Sequence, residues 1–127
     1  MAALTQDLPT VTPEHRLIGL IRSARIDLSS EKRAQADIAV ILERAGIAFQ
    51  REVRLSAEDI VDFMSDGVAL EVKLKGARKK GVYRQLCRYA KHPSVQSIVL
   101  ASSESMGLPK QIDGKDAYFL KLGEGWL

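Results

Sequence analysis

Three charged residues at short spacing, Asp62, Glu71 and Lys73, have side chains that could do chemistry together. Two carboxylates are a ligand set that Mg²⁺ commonly uses in proteins, along with water and substrate phosphate. A lysine beside them could orient or help deprotonate an attacking water, or stabilise negative charge that develops at phosphorus. The residue types therefore indicate metal-assisted hydrolysis of a phosphate ester.

The segment that carries these residues has the pattern of a β-hairpin. Two β-rich runs, IVDFMS and VALEVKLK, flank Asp66-Gly67, the dipeptide favoured in two-residue type I′ turns. With those two residues in the loop, Asp62 falls directly opposite Glu71, and Lys73 leaves the strand on the same face as Glu71. The remaining predicted pairs are Ser65 with Val68, Met64 with Ala69 and Phe63 with Leu70.

The two faces of this hairpin are predicted to differ. Like charges that face each other across a ladder destabilise it, so a bound cation is expected to compensate Asp62 and Glu71. The alternative is that the acids decorate a solvent-exposed face and that Lys73 screens them. The opposite face is predicted to be apolar and to face the core, with Val61, Phe63, Val68, Leu70, Val72 and Leu74.

The rest of the chain predicts an α/β fold. Thr12-Pro13-Glu14 and Ser29-Ser30-Glu31 are typical helix starts, and Gly46 is a typical helix stop. Helical spacing of apolar residues follows each start, and apolar residues recur with a period of two after Gly46. The predicted elements are helices over about 13–24, 30–45 and 82–92 and strands over about 47–55, 60–65, 68–74, 97–102 and 117–122.

The composition restricts the class of protein. A chain of 127 residues with 46% hydrophobic and 28% charged residues is expected to form one globular domain over 13–127, after a flexible segment over 1–12. The single cysteine, Cys87, excludes an internal disulfide and a multi-cysteine zinc site, and His15 and His92 lie too far apart to form a metal motif. The short apolar runs predict no membrane span and a cytoplasmic protein.

Positive charge is concentrated in one segment. Although the net charge is only +3, the stretch from Lys73 to Lys91 contains eight basic residues and no acidic one. Such a block suits a nucleic-acid backbone, whose binding depends on neutralisation of successive phosphates. The alternative is a solvated loop and helix face without a ligand. The predicted DNA-binding residues are Lys75, Arg78, Lys79, Lys80, Arg84, Arg88 and Lys91.

The pattern of Asp62, eight residues, then Glu71-Val72-Lys73 resembles the PD-(D/E)XK, or restriction-endonuclease-like, nucleases. The core of that superfamily has the order α-β-β-β-α-β, which matches the predicted elements over about 30–102. The resemblance implies a mixed central sheet, here with an extra N-terminal helix and a C-terminal strand. The chain departs from the pattern at Val61, which stands where the name-giving proline would be.

The resemblance also implies roles for individual residues. Asp62, Glu71 and the backbone carbonyl of Val72 are expected to bind Mg²⁺ or Mn²⁺, and Lys73 is expected to assist the attacking water. Two other features are similar to ones found near the active site in the superfamily. Gln85 and Tyr89 resemble its Gln-x-x-x-Tyr element, although Tyr89 also fits the apolar stripe of its helix. Glu31 is the candidate acid from the first core helix, although a first-turn acid is also favoured by the helix dipole; Glu43 and Glu52 are weaker alternatives.

These observations predict a Mg²⁺-dependent deoxyribonuclease that acts as a homodimer. The compact chain resembles phage or prophage nucleases and the Holliday-junction-resolvase and virus-type replication-repair branches. We therefore expect selectivity for DNA structure, such as junctions, branches or single strands, in phage replication, recombination or repair. Two alternatives stay open: an inactive nucleic-acid-binding module, and a phage protein-interaction factor whose basic face binds an acidic partner.

Overall fold

The computed structural model describes residues 11–127, which form a mixed α/β fold with three helices around a six-stranded sheet. The predicted flexible segment over 1–12 therefore lies almost entirely outside the described residues. The helices are α1 (Pro13–Arg22), α2 (Glu31–Arg44) and α3 (Lys79–Ala90). The strands are β1 (Gln50–Arg54), β2 (Ile60–Ser65), β3 (Val68–Lys73), β4 (Ser97–Ser102), β5 (Gln111–Ile112) and β6 (Lys115–Lys121), followed by a 3₁₀ turn over Glu124–Trp126.

The sheet is mixed, with strand order β1-β2-β3-β4-β6-β5. β1, β2 and β3 form an antiparallel meander, whereas β3, β4 and β6 are parallel and β5 pairs antiparallel with β6. The predicted mixed sheet is confirmed. Because the three parallel strands end at the same edge, the loops that follow β3 and β4 lie beside each other there.

Helices cover both faces of the sheet. On one face α1 and α2 pack on Phe63, Leu70, Val99 and other apolar residues. On the other face Val82, Leu86 and Tyr89 of α3 pack on a second apolar cluster that includes Ile98. The hairpin therefore has no solvent-exposed face, because each face carries its own hydrophobic core. None of the helices between residues 11 and 127 has the length and hydropathy that a membrane crossing requires.

The predicted helix starts are confirmed for α1 and α2. The hydroxyl oxygens of Thr12 and Ser30 accept hydrogen bonds from backbone N–H groups three residues later, so each residue caps its helix. α3 starts at Lys79, three residues before the predicted start. Gly81 predicts a boundary between linker and helix, but the lysines before it favour helix, and one glycine in a first turn is tolerated.

All five predicted strands are present, but not with every predicted boundary, and the sheet has a sixth strand. β1 begins at Gln50, so residues 47–49 are not strand, and the two-residue β5 was not predicted. The predicted turn is confirmed: Asp66 and Gly67 have φ of +49° and +79°, as a type I′ turn requires. The three predicted pairs nearest this turn are also confirmed.

The prediction that Val61 shares a face with Phe63 is wrong. Phe63 packs in the cluster under α1 and α2, whereas Val61 packs in the cluster under α3. The side chains of β2 therefore change faces at Asp62, where the pairing of β2 with β3 ends. On the neighbouring strand Glu52 has φ of +50°, so β1 is also not regularly extended at this level.

Candidate active site

The hairpin opens where Asp62 meets Glu71. Backbone pairing of β2 with β3 extends from Ser65–Val68 to Phe63–Leu70 and no further. Beyond it the acidic side chains replace the ladder bonds: the N–H of Asp62 donates to Oε1 of Glu71 (3.2 Å), and the N–H of Val72 donates to Oδ2 of Asp62 (2.8 Å). The predicted ladder pair of Asp62 with Glu71 is therefore not formed, but the two carboxylates still come close together between the strands.

Burial makes this pair of acids electrostatically unusual. Glu71 is only 2% exposed. Burial, followed by the negative charge of Asp62, raises the pKa of Glu71 from its ordinary 4.5 to about 7, although Lys73 acts in the opposite direction. Burial also raises the pKa of Asp62, and hydrogen bonds to its carboxylate offset part of that effect. Glu71 does not decorate a solvent face, so that alternative is wrong for this residue.

Lys73 lies beside Glu71, as predicted. Its Nζ is 3.3 Å from Oε2 of Glu71, and its side chain is 20% exposed. The ammonium group therefore partly neutralises the buried acid and remains accessible from solvent. A lysine in this position can donate to a phosphate oxygen or to a water near the carboxylates.

Glu31 lies within electrostatic range of Asp62. It is the first residue of α2, and its charge contributes to the raised pKa of Asp62. The side chain is exposed, so it does not join the buried pair directly. The other acids considered for this role, Glu43 and Glu52, have no such effect on Asp62.

Tyr89 of α3 packs directly over the pair. It is completely buried, and its hydroxyl donates to the carbonyl oxygen of Ile60 (2.9 Å). Burial and the adjacent charge of Glu71 raise the pKa of the Tyr89 hydroxyl, which keeps it neutral. Tyr89 thus belongs both to the apolar stripe of α3 and to the site. Gln85, one turn earlier, is half-buried and makes no hydrogen bond within the described residues.

The donor atoms fit a hard divalent cation. The two carboxylates lie close together, and their raised pKa values show that burial disfavours the ionised forms. A nearby cation would favour those ionised forms. The N–H of Val72 points toward Asp62, and the carbonyl of a strand residue points to the same side as its N–H. Within residues 11–127, however, no group of three or more His, Cys, Asp or Glu side chains is close enough to hold an ion. A cation here would need water, backbone or substrate oxygens to complete its ligands, as Mg²⁺ commonly does.

The predicted basic residues extend from the loop after β3 to the end of α3. Their side chains are exposed, and apart from Arg88 none forms an ion pair or hydrogen bond with another residue in the described part of the chain. Lys75 and Arg78 are in the loop after β3, and Lys79 and Lys80 begin α3, whereas Lys91 follows the other end of this helix, roughly 18 Å from its start by helical rise. The exposed set comprises Lys75, Arg78, Lys79, Lys80, Arg84 and Lys91.

Arg88 is placed differently from the other basic residues. Its Nε donates to both carboxylate oxygens of Asp59, at 2.9 and 3.1 Å, and Asp59 is buried. This ion pair fastens α3 to the turn between β1 and β2. The sequence contains no signal for it, because the two residues are 29 positions apart in unrelated patterns.

Two grooves lie elsewhere on the molecule. One, of about 450 Å³, runs beside α1, the end of α2 and the hairpin turn, and its lining includes Arg16, Ile47 and Asp66. The other, of about 490 Å³, is lined by residues of the same turn, of β2 and of the start of β1. These residues are at the turn end of the hairpin. Asp62 and Glu71 line neither groove.

Comparisons with known proteins do not assign the chain to a family. No protein-family model matches it, and neither the curated proteins nor the solved structures give a significant match.

Proposed function

We propose that this protein is a metal-dependent nuclease that hydrolyses DNA phosphodiester bonds. The observation that carries the proposal is the pair of half-buried Asp62 and buried Glu71 where the ladder ends, with Lys73 in contact with Glu71. Keeping two acids together at this depth costs stability, because burial disfavours both charges. A cation that binds between them would recover that cost and bring substrate phosphate to the same place.

The protein's own residues would have distinct tasks. Asp62, Glu71 and the Val72 carbonyl would hold Mg²⁺ or Mn²⁺, which when bound supplies positive charge to the phosphate and lowers the pKa of water. Lys73 would donate to a phosphate oxygen or orient the attacking water. Glu31 could accept a hydrogen bond from a water at the open side, and Tyr89 would hold β2 in place through Ile60.

The topology supports membership of the restriction-endonuclease-like group. From α2 to β4 the order is α-β-β-β-α-β, with an antiparallel meander followed by a parallel strand. The acids lie at the carboxyl edge of β3, beside the basic start of α3. We further propose that the enzyme selects DNA by structure rather than by sequence, because its exposed basic residues suit phosphates, and phosphate contacts carry no direct sequence information.

The proposal is tested by cleavage of labelled single-stranded, duplex and four-way-junction DNA with Mg²⁺ or Mn²⁺. We expect cleavage by the wild type and a loss of about a hundredfold or more in Glu71→Gln and Lys73→Met, because each change removes a group that acts on the phosphate or its metal. Glu58→Gln is the matched control, since Glu58 is exposed on the β1–β2 turn. Wild-type rates in Glu71→Gln would refute the proposal.

A metal-binding measurement gives a second readout. At pH 8, ten times the dissociation constant of Mn²⁺ should stabilise the wild type by about 1.4 kcal/mol. Asp62→Asn should lose this stabilisation, because it replaces an ionised ligand by a neutral amide. An equal rise in the melting temperature of both proteins would exclude Asp62 as a ligand.

The second candidate function is a DNA-binding module without catalysis. It is favoured by the absence, in residues 11–127, of a three-residue metal cluster, and by the hydrogen bonds that already satisfy both acids. This candidate predicts salt-sensitive DNA binding that EDTA does not change, with no cleavage.

A further inference from the structure

An additional lysine, Lys121, lies at the same edge of the sheet as the acidic pair. In the parallel ladders, Lys73 is in register with Ser102, and Ser102 is in register with Lys121. The three residues form one row across β3, β4 and β6. Lys121 belongs neither to the basic block between Lys73 and Lys91 nor to the part of the chain that resembles a nuclease.

All three side chains of this row are on the face covered by α3. Side chains alternate along a strand, so a residue two positions after one that packs under α3 shares its face. On β4 and β6 the residues that precede Ser102 and Lys121 in this alternation pack in the cluster under α3. They are Ile98, Leu100, Ala117 and Phe119.

The charge of Lys121 has no carboxylate partner within residues 11–127. Its Nζ donates to the hydroxyl oxygen of Ser105 at 3.2 Å, which is a neutral contact. The carboxylate of neighbouring Glu104 instead accepts the N–H of Gly76 at 3.3 Å, and the N–H of Glu104 donates to Ser102 at 3.1 Å. These bonds hold the loop after β4 against the loop after β3, and they leave Lys121 available for an anion.

Lys73 and Lys121 are placed to bind different phosphates. Two strand spacings separate their Cα atoms by roughly 10 Å. The ammonium of Lys73 is directed back to Glu71, whereas that of Lys121 is directed to Ser105 in the loop beyond β4. A strand whose scissile phosphate lies at Asp62, Glu71 and Lys73 would therefore reach Lys121 with another of its phosphates.

We propose that Lys121 and Ser105 form a second phosphate-binding site for the DNA backbone, near the scissile phosphate on the same strand. This inference rests on the proposed nuclease function. It assigns the bound strand a path across the carboxyl ends of β3, β4 and β6. Lys121 then fixes the direction in which the strand crosses the acidic pair.

The test compares equilibrium binding of wild type, Lys121→Gln and Lys110→Gln to fluorescent 20-nucleotide single-stranded and duplex DNA, over a range of NaCl concentrations with Ca²⁺ in place of Mg²⁺. Loss of one phosphate contact should reduce the slope of log affinity against log salt by about 0.7 for single strands or 0.9 for duplex in Lys121→Gln. Lys110→Gln is the matched control, because Lys110 is exposed and removes the same charge away from the row. An unchanged slope in Lys121→Gln, or an equal reduction in Lys110→Gln, would overturn the inference.

A second measurement locates the contact on the DNA. A single neutral methylphosphonate is placed in turn at each phosphate near the cleavage position of a substrate that the wild type cuts. At one position the change should weaken binding by the wild type but not by Lys121→Gln. If both proteins lose affinity equally at every position, the inference fails while the nuclease proposal stands. If the wild type cuts no DNA, the nuclease proposal fails, and the salt slopes alone decide whether Lys121 binds phosphate.

Discussion

Glu71 is the side chain whose surroundings differ most from those of an ordinary acid. Its carboxylate is buried, accepts the N–H of Asp62 and contacts the ammonium of Lys73. The protein therefore concentrates two negative charges at one point and compensates them with a single lysine. This imbalance is the physical reason to expect both a cation and a pH-dependent stability.

The pH dependence of stability should follow from Glu71. Its pKa in the folded protein is about 7, above the ordinary 4.5, so the folded state holds its proton more tightly than the unfolded state. This stabilisation is fully present below pH 4.5 and is lost as the pH rises through 7. In EDTA we expect the free energy of unfolding to fall by roughly 1 to 3 kcal/mol between pH 5 and 8.

Glu71→Gln should remove most of the fall in unfolding free energy between pH 5 and 8, because the amide does not titrate. Urea unfolding of the variant and of Glu58→Gln at both pH values provides the comparison. A wild-type pH dependence in Glu71→Gln would show that burial of Glu71 does not control it.

Two elements, the β2–β3 hairpin and α3, hold the acidic pair in place. The Asp66-Gly67 turn sets the register of β2 on β3, and the Arg88–Asp59 ion pair holds α3 against the β1–β2 turn. Tyr89, one residue after Arg88, then reaches Ile60 beside the acidic pair. Changes far from the carboxylates are therefore expected to act on the site through these two elements.

Gly67→Ala should destabilise the hairpin by about 1 to 2 kcal/mol. Gly67 has φ of +79°, and a Cβ there would lie 2.9 Å from the side chain of Gln96. Gly107→Ala is the control, since nothing lies within 4 Å of its Cβ position and its φ is not in the left-handed region. Thermal unfolding of both variants measures the difference, and equal melting temperatures would contradict the role of the turn.

Substitutions of Arg84 and Arg88 should have different effects, one on DNA binding and the other on the free energy of unfolding. Arg88→Ala leaves Asp59 buried without its partner, so we expect a loss of about 1 to 3 kcal/mol in unfolding free energy and little change in the salt slope of DNA binding. Arg84→Ala should show the reverse, because Arg84 is exposed and unpaired within the described residues. A large loss of stability in Arg84→Ala would contradict this division.

For the molecule as a whole, several basic residues lie at one edge of the sheet. The basic start of α3 and the lysines at the ends of β3 and β6 lie at the carboxyl edge of the parallel strands, where the acids also lie. Phosphate binding and phosphodiester hydrolysis would therefore occur on one side of the molecule.

A homodimer remains our prediction, because one chain of this size offers little surface for a duplex or a junction. Sedimentation velocity at micromolar concentration should give about twice the mass of the 14.0 kDa chain. The measurement is repeated with saturating four-way-junction DNA. The mass of one chain without DNA, together with one chain per junction in the complex, would contradict the prediction.

The sequence alone determined the local features of this protein. Helix caps, the Asp66-Gly67 turn and the proximity of Asp62 to Glu71 follow from rules that act over a few residues, and these predictions are confirmed. Tertiary structure decided what depends on distant segments. Packing under α3 buried Glu71 and turned Val61 to the second core, and pairing of β4 with β6 brought Lys121 into line with Lys73. Those outcomes depend on contacts between residues far apart in the chain, which periodicity and spacing do not encode.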